Sequence, residues 1–357
     1  MTRDRFIVWG RESLRIVLTL AMALFTGALI MWLSGKDALK AYMTLFSAAF
    51  GGTLAIADTL LAATPLIFTG LATAVAFRAG VFNVGVEGSL YLGAFAAAWV
   101  GFTLTFLPGP LILTIALFTA GLVGGVWALI PGYLKAKLGV DEIVTTIMLN
   151  YVAIHFTSYL VNYPFAVPGL ANAMSPVVAP SATLPRLMPP SQLNFSFILA
   201  LLAVVATAFL LNRTTLGYEL RTYGANPIFA RWSGIPSASL ILRVMLVSGA
   251  LGGLAGAGQV LGVNYRFVAN FSPGYGFDGI AVALLGRNSA WGAFLGALLF
   301  GALRSGGSTL ELMMDIPLEL IRILEAAIIF FVTAQFALQW AWQKRIQATP
   351  ATANKAD

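Results

Sequence analysis

Predominantly apolar runs recur from one end of the chain to the other, most of them near the ~18–20 residues that a helix needs to cross about 30 Å of hydrocarbon. They lie at Ile16–Leu33, Leu60–Phe77, Ser89–Phe106, Leu111–Leu134, Ile143–Val161, Asn194–Leu211, Val244–Val263, Gly274–Gly286, Ser289–Leu303 and Ile316–Leu338. The eighth is too short to span unaided, and nothing remains that would build a separate soluble domain. Hydrocarbon offers backbone N–H and C=O groups no water, so runs of this length must be helical. The expected class is all-α, a polytopic membrane bundle of about ten transmembrane helices, some of them broken. Residues 1–15 are expected to form a cytoplasmic segment, 16–338 a single transmembrane domain, and 339–357 a cytoplasmic tail.

Charge supports this layout. Only 10% of the 357 residues are charged and 59% are hydrophobic, against about 25% charged in soluble domains. The net charge of +7 therefore reflects loop placement and not nucleic-acid binding. Arg3, Arg5, Arg11 and Arg15 precede the first run, which is longer than a signal peptide's apolar region and is expected to stay as an uncleaved helix. Alternating the spans from a cytoplasmic N-terminus puts most of the 21 basic residues inside, leaving Lys36, Lys40, Arg186, Arg266, Arg304 and Arg322 outside or within spans. Both termini are then cytoplasmic, and Asn162–Asn194, rich in Pro, Ser and Ala, is an external loop without helix or strand signal. The chain has no cysteine, which excludes disulfides, thiolate metal sites and thiol nucleophiles.

The stretch Ala76–Val100 is where the apolar pattern breaks, at a polar, glycine-rich joint containing Asn83 and Glu87. At membrane depth such a break survives only inside protein or beside an aqueous cavity, so the joint is a candidate pathway element. GVFNVGVEG at 80–88 has a weak echo in GYGFDGIAVALLG at 274–286, with Phe82–Asn83 answered by Phe277–Asp278. Paired broken segments of this kind mark substrate sites in transporters. Asn83 and Asp278 also suit helix N-caps, a role compatible with the first. Glu87, one turn beyond Asn83, is expected either to pair with Arg78 or to accept hydrogen bonds from substrate.

Other polar features are more local. Glu142, Thr146 and Asn150 are four apart and share a helix face that must point into the bundle, either to bond a neighbouring helix or to meet substrate. Gly121 with Gly125, Gly249 with Gly253, Gly258 with Gly262 and Gly292 with Gly296 carry the spacing for close helix contact. His155 stands alone, without a second ligand at metal spacing. The segment 217–243 is too patterned for a plain turn; Asn226–Pro227 starts and Gly234–Pro236 ends a short surface helix, anchored at headgroups or docked on a soluble partner.

The fragments FRAGVFNVGVEG at 77–88, GVDEIVTTIMLNY at 139–151, GANPIFARWSGI at 224–235 and GYGFDGIAVALLGRN at 274–288 resemble, in this order, the permease subunits of bacterial ABC importers for simple sugars, nucleosides and branched-chain amino acids. The likeness is strongest to the nucleoside members and covers about Asp37 to Leu338. It implies a multi-pass protein of the bacterial cytoplasmic membrane. Its partners would be a second permease subunit, non-identical by expectation with a homodimer as the alternative, ATPase subunits, and an extracytoplasmic binding lipoprotein. Segment 217–243 would then hold the helix that docks on the ATPase, with Arg221, Asn226, Ala230, Arg231 and Gly234 as coupling residues. Of the general importer signature at this place only Ala230 and Gly234 survive. No GxxxxGK[ST] phosphate loop occurs, so ATP and magnesium belong to the partner and the chain itself holds no cofactor or metal. Phe82, Asn83, Glu87, Asn150, Tyr151, Phe277 and Asp278 are the pathway candidates, since amides, carboxylates and aromatic faces suit a sugar's hydroxyls and a base.

A rival class is an ion-coupled transporter, suggested by Glu319, Arg322 and Glu325 spaced three apart on the last span; these also fit a structural ion-pair group. No HExxH motif and no catalytic serine–histidine or paired-aspartate arrangement points to an enzyme.

Overall fold

The computed structural model describes residues 21–169, 172–317, 319–331 and 334. The helices are α1 (Ala21–Leu33), α2 (Ala38–Phe50), α3 (Thr53–Arg78), α4 (Val86–Thr103), α5 (Gly109–Tyr133), α6 (Glu142–Asn162), α7 (Ser196–Arg213), α8 (Thr215–Ala225), α9 (Pro227–Trp232), α10 (Ser237–Gln259), α11 (Tyr275–Leu285), α12 (Ala290–Met314) and α13 (319–331). Wider π turns extend α5 through Leu134–Leu138 and α10 through Val260–Asn264. Among the described residues, extended pairing is limited to two isolated bridges, Met174 with Val268 and Arg186 with Asn194.

Each of the ten expected runs overlaps a helix, but only six described helices, α3, α5, α6, α7, α10 and α12, are long and apolar enough to cross a membrane. The shortfall has local causes. α11 has 11 residues, and α4, though continuous over 18 residues, carries the charge of Glu87 in its first turn. Residues 16–20 of the first expected run and 318, 332, 333 and 335–338 of the last lie outside the described residues, as do the expected terminal segments 1–15 and 339–357. α2 was not expected; its 13 residues are too few to span, and only a stripe of Ala41, Leu45 and Ala49 is buried.

The described residues divide into two compact units, those up to 45 together with those from 307 on, and those of 46–306. In the first, the Tyr42 hydroxyl donates to the Leu24 carbonyl of α1 at 2.6 Å, and Leu324 of α13 packs 2.7 Å from where a β-carbon on Gly27 would stand. Lys36 Nζ donates to the carbonyls of Met314 (3.2 Å) and Asp315 (2.8 Å), placing a cation at the negative end of α12.

The second unit is built on α3, α4 and α10, with α6 and α7 more peripheral: 78% of the apolar window of α3 is buried but only 22% of that of α6. Glycines let α5 and α10 meet backbone to backbone. A β-carbon on Gly124 would lie 2.5 Å from the Gly249 carbonyl oxygen, and one on Gly253 would overlap the Ala120 carbonyl. Lipid tails are as apolar as the side chains, so such close packing, and not water exclusion, holds helices together here. Gly249 and Gly253 behave as their spacing suggested, whereas Gly121 leaves 3.8 Å of clearance and Gly124 takes its place. Segment 172–186 has a single 3-10 turn, Pro180–Ala182, and is held by main-chain bonds from Ser175, Val178 and Leu184 to the carbonyls of Phe267, Tyr265 and Leu261, each 2.9 Å.

Gly253→Ala is expected to overpack this contact and cost about 1–3 kcal/mol, seen as a lower Tm of the purified protein, while Gly121→Ala leaves the Tm unchanged. Equal Tm values for the two variants would refute the close-packing account.

Candidate functional site

The joint begins where α3 stops. Gly80 takes the left-handed conformation (φ 66°), its N–H bonds the Phe77 carbonyl at 3.0 Å, and the Val81 N–H bonds the Ala76 carbonyl at 3.1 Å. This reciprocal pair closes the helix end and turns the chain away. The following residues are in neither helix nor strand until α4 starts at Val86, and their main-chain groups must find partners other than their own helix.

α6 supplies them. Phe82 N–H donates to Glu142 Oε1 (3.4 Å), Val84 N–H to Thr146 Oγ1 (3.3 Å) and Gly88 N–H to Asn150 Oδ1 (2.8 Å), while Asn150 Nδ2 donates to the Val84 carbonyl (2.9 Å). The four-residue stripe therefore reads the joint's backbone one turn at a time, and all three side chains are buried. Glu142 is also tied to Lys135 Nζ at 2.6 Å. Asn83 closes the other side: its Nδ2 donates to Ser248 Oγ of α10 (2.9 Å), and Ser248 donates to the Ala72 carbonyl of α3 (2.8 Å).

The helix-cap expectation for Asn83 and Asp278 is corrected here. The N-cap of α4 is Gly85 and that of α11 is Gly274. Asn83 Oδ1 instead accepts from Gly85 N–H at 2.9 Å, a local turn two residues long. Asp278 sits within α11 and pairs with Arg304 at 3.4 Å, whose guanidinium lies 4.8 Å over the Tyr275 ring. The start of α11 is capped by Ser272 Oγ, which accepts from Gly274 N–H (3.2 Å) and Tyr275 N–H (3.1 Å).

Glu87 does not pair with Arg78. It is 2% exposed, and its Oε2 accepts the Gly276 N–H from the first turn of α11, with Ser272, Asp278 and Arg304 nearby. Since Glu87 also sits in the first turn of α4, one carboxylate faces the positive ends of two helix dipoles. Gly276 permits this approach, because its β-carbon would stand 2.7 Å from Glu87 Cα.

The two echoed segments are thus in direct contact. Asn83, Glu87 and Asn150 form the buried inner layer, while Phe82 and Phe277 are 46% and 43% exposed. Tyr151 is 58% exposed. Sequence reasoning missed Ser248, Ser272, Gly276 and Arg304; of these only Arg304, a charge directly after the apolar run Ser289–Leu303, carried a signal. Of the rival ladder, Glu319 and Arg322 are exposed and Glu325 is half-buried.

The short surface helix forms as its sequence suggested. Asn226 Oδ1 accepts from the N–H groups of Ile228 and Phe229, both at 3.0 Å, and the helix ends with Gly234 N–H on the Arg231 carbonyl (3.1 Å) and Ile235 N–H on the Ala230 carbonyl (3.0 Å). Ala230 is fully buried and seats the helix, while Ile228, Phe229 and Trp232 are 70%, 58% and 87% exposed. Arg221 is turned inward, donating to the Leu211 carbonyl.

Residues 55–333 match the family model described as branched-chain amino acid transport system / permease component. The chain belongs to this family. The permease is 39% identical to the guanosine ABC transporter permease NupP of Bacillus subtilis, over 92% of this chain and 95% of that one. It is 36% identical to the glucose ABC transporter permease TsgB13 of Haloferax volcanii (96% and 93% covered) and 33% to the nucleoside ABC transporter permease NupB of Lactococcus lactis (97% and 98%). A second Bacillus subtilis guanosine permease, NupQ, is 27% identical over 74% of this chain and 86% of its own length. No solved structure matches the permease.

Asn150→Leu keeps the packing but strands the Val84 carbonyl and the Gly88 N–H, at about 1–3 kcal/mol for each buried group left unpaired; a clear drop in Tm is expected. Glu87→Gln and Arg78→Gln should be additive in a double-mutant cycle, within about 0.5 kcal/mol, because the two side chains do not pair; a larger coupling would contradict the geometry.

Proposed function

We propose that this chain is the membrane-spanning subunit of an ATP-driven importer that moves nucleosides, which a binding protein delivers from outside the cytoplasmic membrane. The observation that carries this reading is the end-to-end match to NupP, a guanosine permease. The match to NupB, a nucleoside permease, supports it further. Phe82 and Phe277, half-exposed beside the buried amides and carboxylate of the joint, suit a base face and ribose hydroxyls. The glucose permease TsgB13 favours a second reading, in which the solute is a simple sugar.

The remaining assignments follow from the same scheme. The chain lacks a phosphate-binding GxxxxGK[ST] loop, so ATP hydrolysis falls to a separate subunit, and this chain catalyses no covalent step. The exposed Ile228, Phe229 and Trp232 give α9 an apolar face to set into that subunit, with Arg231 and Asn226 at its edge. NupP and NupQ are both named as guanosine ABC transporter permeases of Bacillus subtilis, and this chain is nearer the first, which supports a non-identical second subunit. The excess of Lys and Arg in one set of loops supports cytoplasmic termini.

The test is uptake into proteoliposomes holding this chain, its second permease and the ATPases. Labelled guanosine and uridine should accumulate only with ATP and binding protein, with unlabelled nucleoside competing and glucose not. Competition by glucose alone would select the sugar reading. Uptake by the lone chain under a proton or sodium gradient would overturn both.

A further inference from the structure

Between the surface helix and the joint lies a contact made by main chain alone. Gly224 is the penultimate residue of α8, two positions before Asn226, which caps α9. A β-carbon on Gly224 would overlap the Arg78 carbonyl oxygen and stand 3.2 Å from the carbonyl carbons of Arg78 and Ala79. Across the same contact, the β-carbon position of Gly80 is 3.6 Å from Gly224 Cα and 3.9 Å from its oxygen. The last turn of α8 therefore rests on the residues where α3 ends and the joint begins, with no side chain between them to absorb a displacement.

The rest of α8 is tied down. Arg221 donates to the Leu211 carbonyl at the end of α7, Thr214 caps the helix through Gly217 N–H at 3.1 Å, Leu220 is fully buried, and Glu219 faces Arg243 of α10 at 3.5 Å. Asn226 is the sole residue between α8 and α9, and its N–H bonds back to the Thr222 carbonyl at 3.0 Å. A force on α9 thus reaches the end of α8 through one residue. Beyond Gly80 the joint leads, within a few residues, to the Phe82 N–H held by Glu142 and to the Asn83 amide held by Ser248. Close-packed backbone transmits strain, and bistable contacts convert small shifts into discrete rearrangements.

We infer that Gly224 is a positioning residue for coupled transport: its backbone seat on Arg78–Gly80 is the link by which the α8–α9 segment sets the conformation of the joint that holds Phe82, Asn83 and Glu87. The inference rests on the permease reading above. It assigns a role to a residue that touches neither solute nor ATPase.

The experiment uses the assembled transporter with Gly224→Ala and Gly224→Val in this chain. Co-purification of the ATPase and its ATP hydrolysis should match the unmodified complex, because the α9 face is untouched, while solute taken up per ATP hydrolysed falls by about tenfold in the Val variant, a usual size for coupling between two sites. The Ala variant should fall less. A second readout does not depend on stability. The chain has no cysteine, so Phe82→Cys provides a single thiol in the joint. Its maleimide labelling rate should differ between the nucleotide-free complex and the complex trapped with nucleotide, and that difference should vanish when Gly224→Ala or Gly224→Val is added. Unchanged uptake per ATP, or a labelling difference that persists beside either substitution, would overturn the inference. Loss of ATPase co-purification in both variants would overturn it as well, by placing Gly224 in docking. Failure of the permease reading is distinct: the unmodified complex would then show no ATP-dependent uptake at all.

Discussion

A main-chain group buried in an apolar bundle must be bonded, and the structure of residues 76–88 follows from that one requirement. Breaking a helix there exposes donors and acceptors that a continuous helix would satisfy itself. The solution is a dedicated polar row on α6, with Glu142, Thr146 and Asn150 spaced at one turn so that each meets one backbone position of the joint. Asn150 is the most economical member, because its amide both donates to and accepts from the joint. The cost of an unpaired group, roughly 1–3 kcal/mol, makes the row and the break mutually dependent. Neither is stable without the other, and together they fix where α4 enters the bundle.

The glycine contacts serve a related end. Because α5 and α10 approach at Gly124, Gly249 and Gly253, α4 is held against helices that leave no room for lateral adjustment. Ser89 adds a bond to the Gly124 carbonyl at 3.0 Å, linking the first turns of α4 to that same interface. The rigid part of the unit and its broken part are therefore adjacent along one helix.

Much of this was legible in the sequence, for identifiable reasons. Long apolar runs locate helices because hydrocarbon leaves no alternative backbone, and the stripe at 142, 146 and 150 declares its direction because Asn150 cannot face lipid. The ends of α9 were readable since Asn226 and Gly234 are residue types that those positions demand. What escaped was contact whose partner is main chain. Nothing in the sequence marks Gly276 as the donor to Glu87, or Gly224 as the neighbour of Arg78, since a backbone N–H or carbonyl is the same at every position. The capping role of Asn83 shifted for a similar reason: the turn after Gly80 moves the helix start to Gly85, and the side chain then serves the turn and α10. α2 was missed because its 13 residues are too few to span and its buried stripe is narrow, made of Ala41, Leu45 and Ala49.

The carboxyl group of Glu87 and the Gly276 N–H satisfy each other across the meeting point of α4 and α11. Moving these helix ends apart would leave a carboxyl group and a donor on facing walls, each too costly to stay bare in a dry gap. A separated state would therefore be a wetted one, with water bridging the two groups. On the proposed reading, opening at this place would be a hydration transition, and a solute rich in hydroxyls would enter by replacing the water that holds the gap apart.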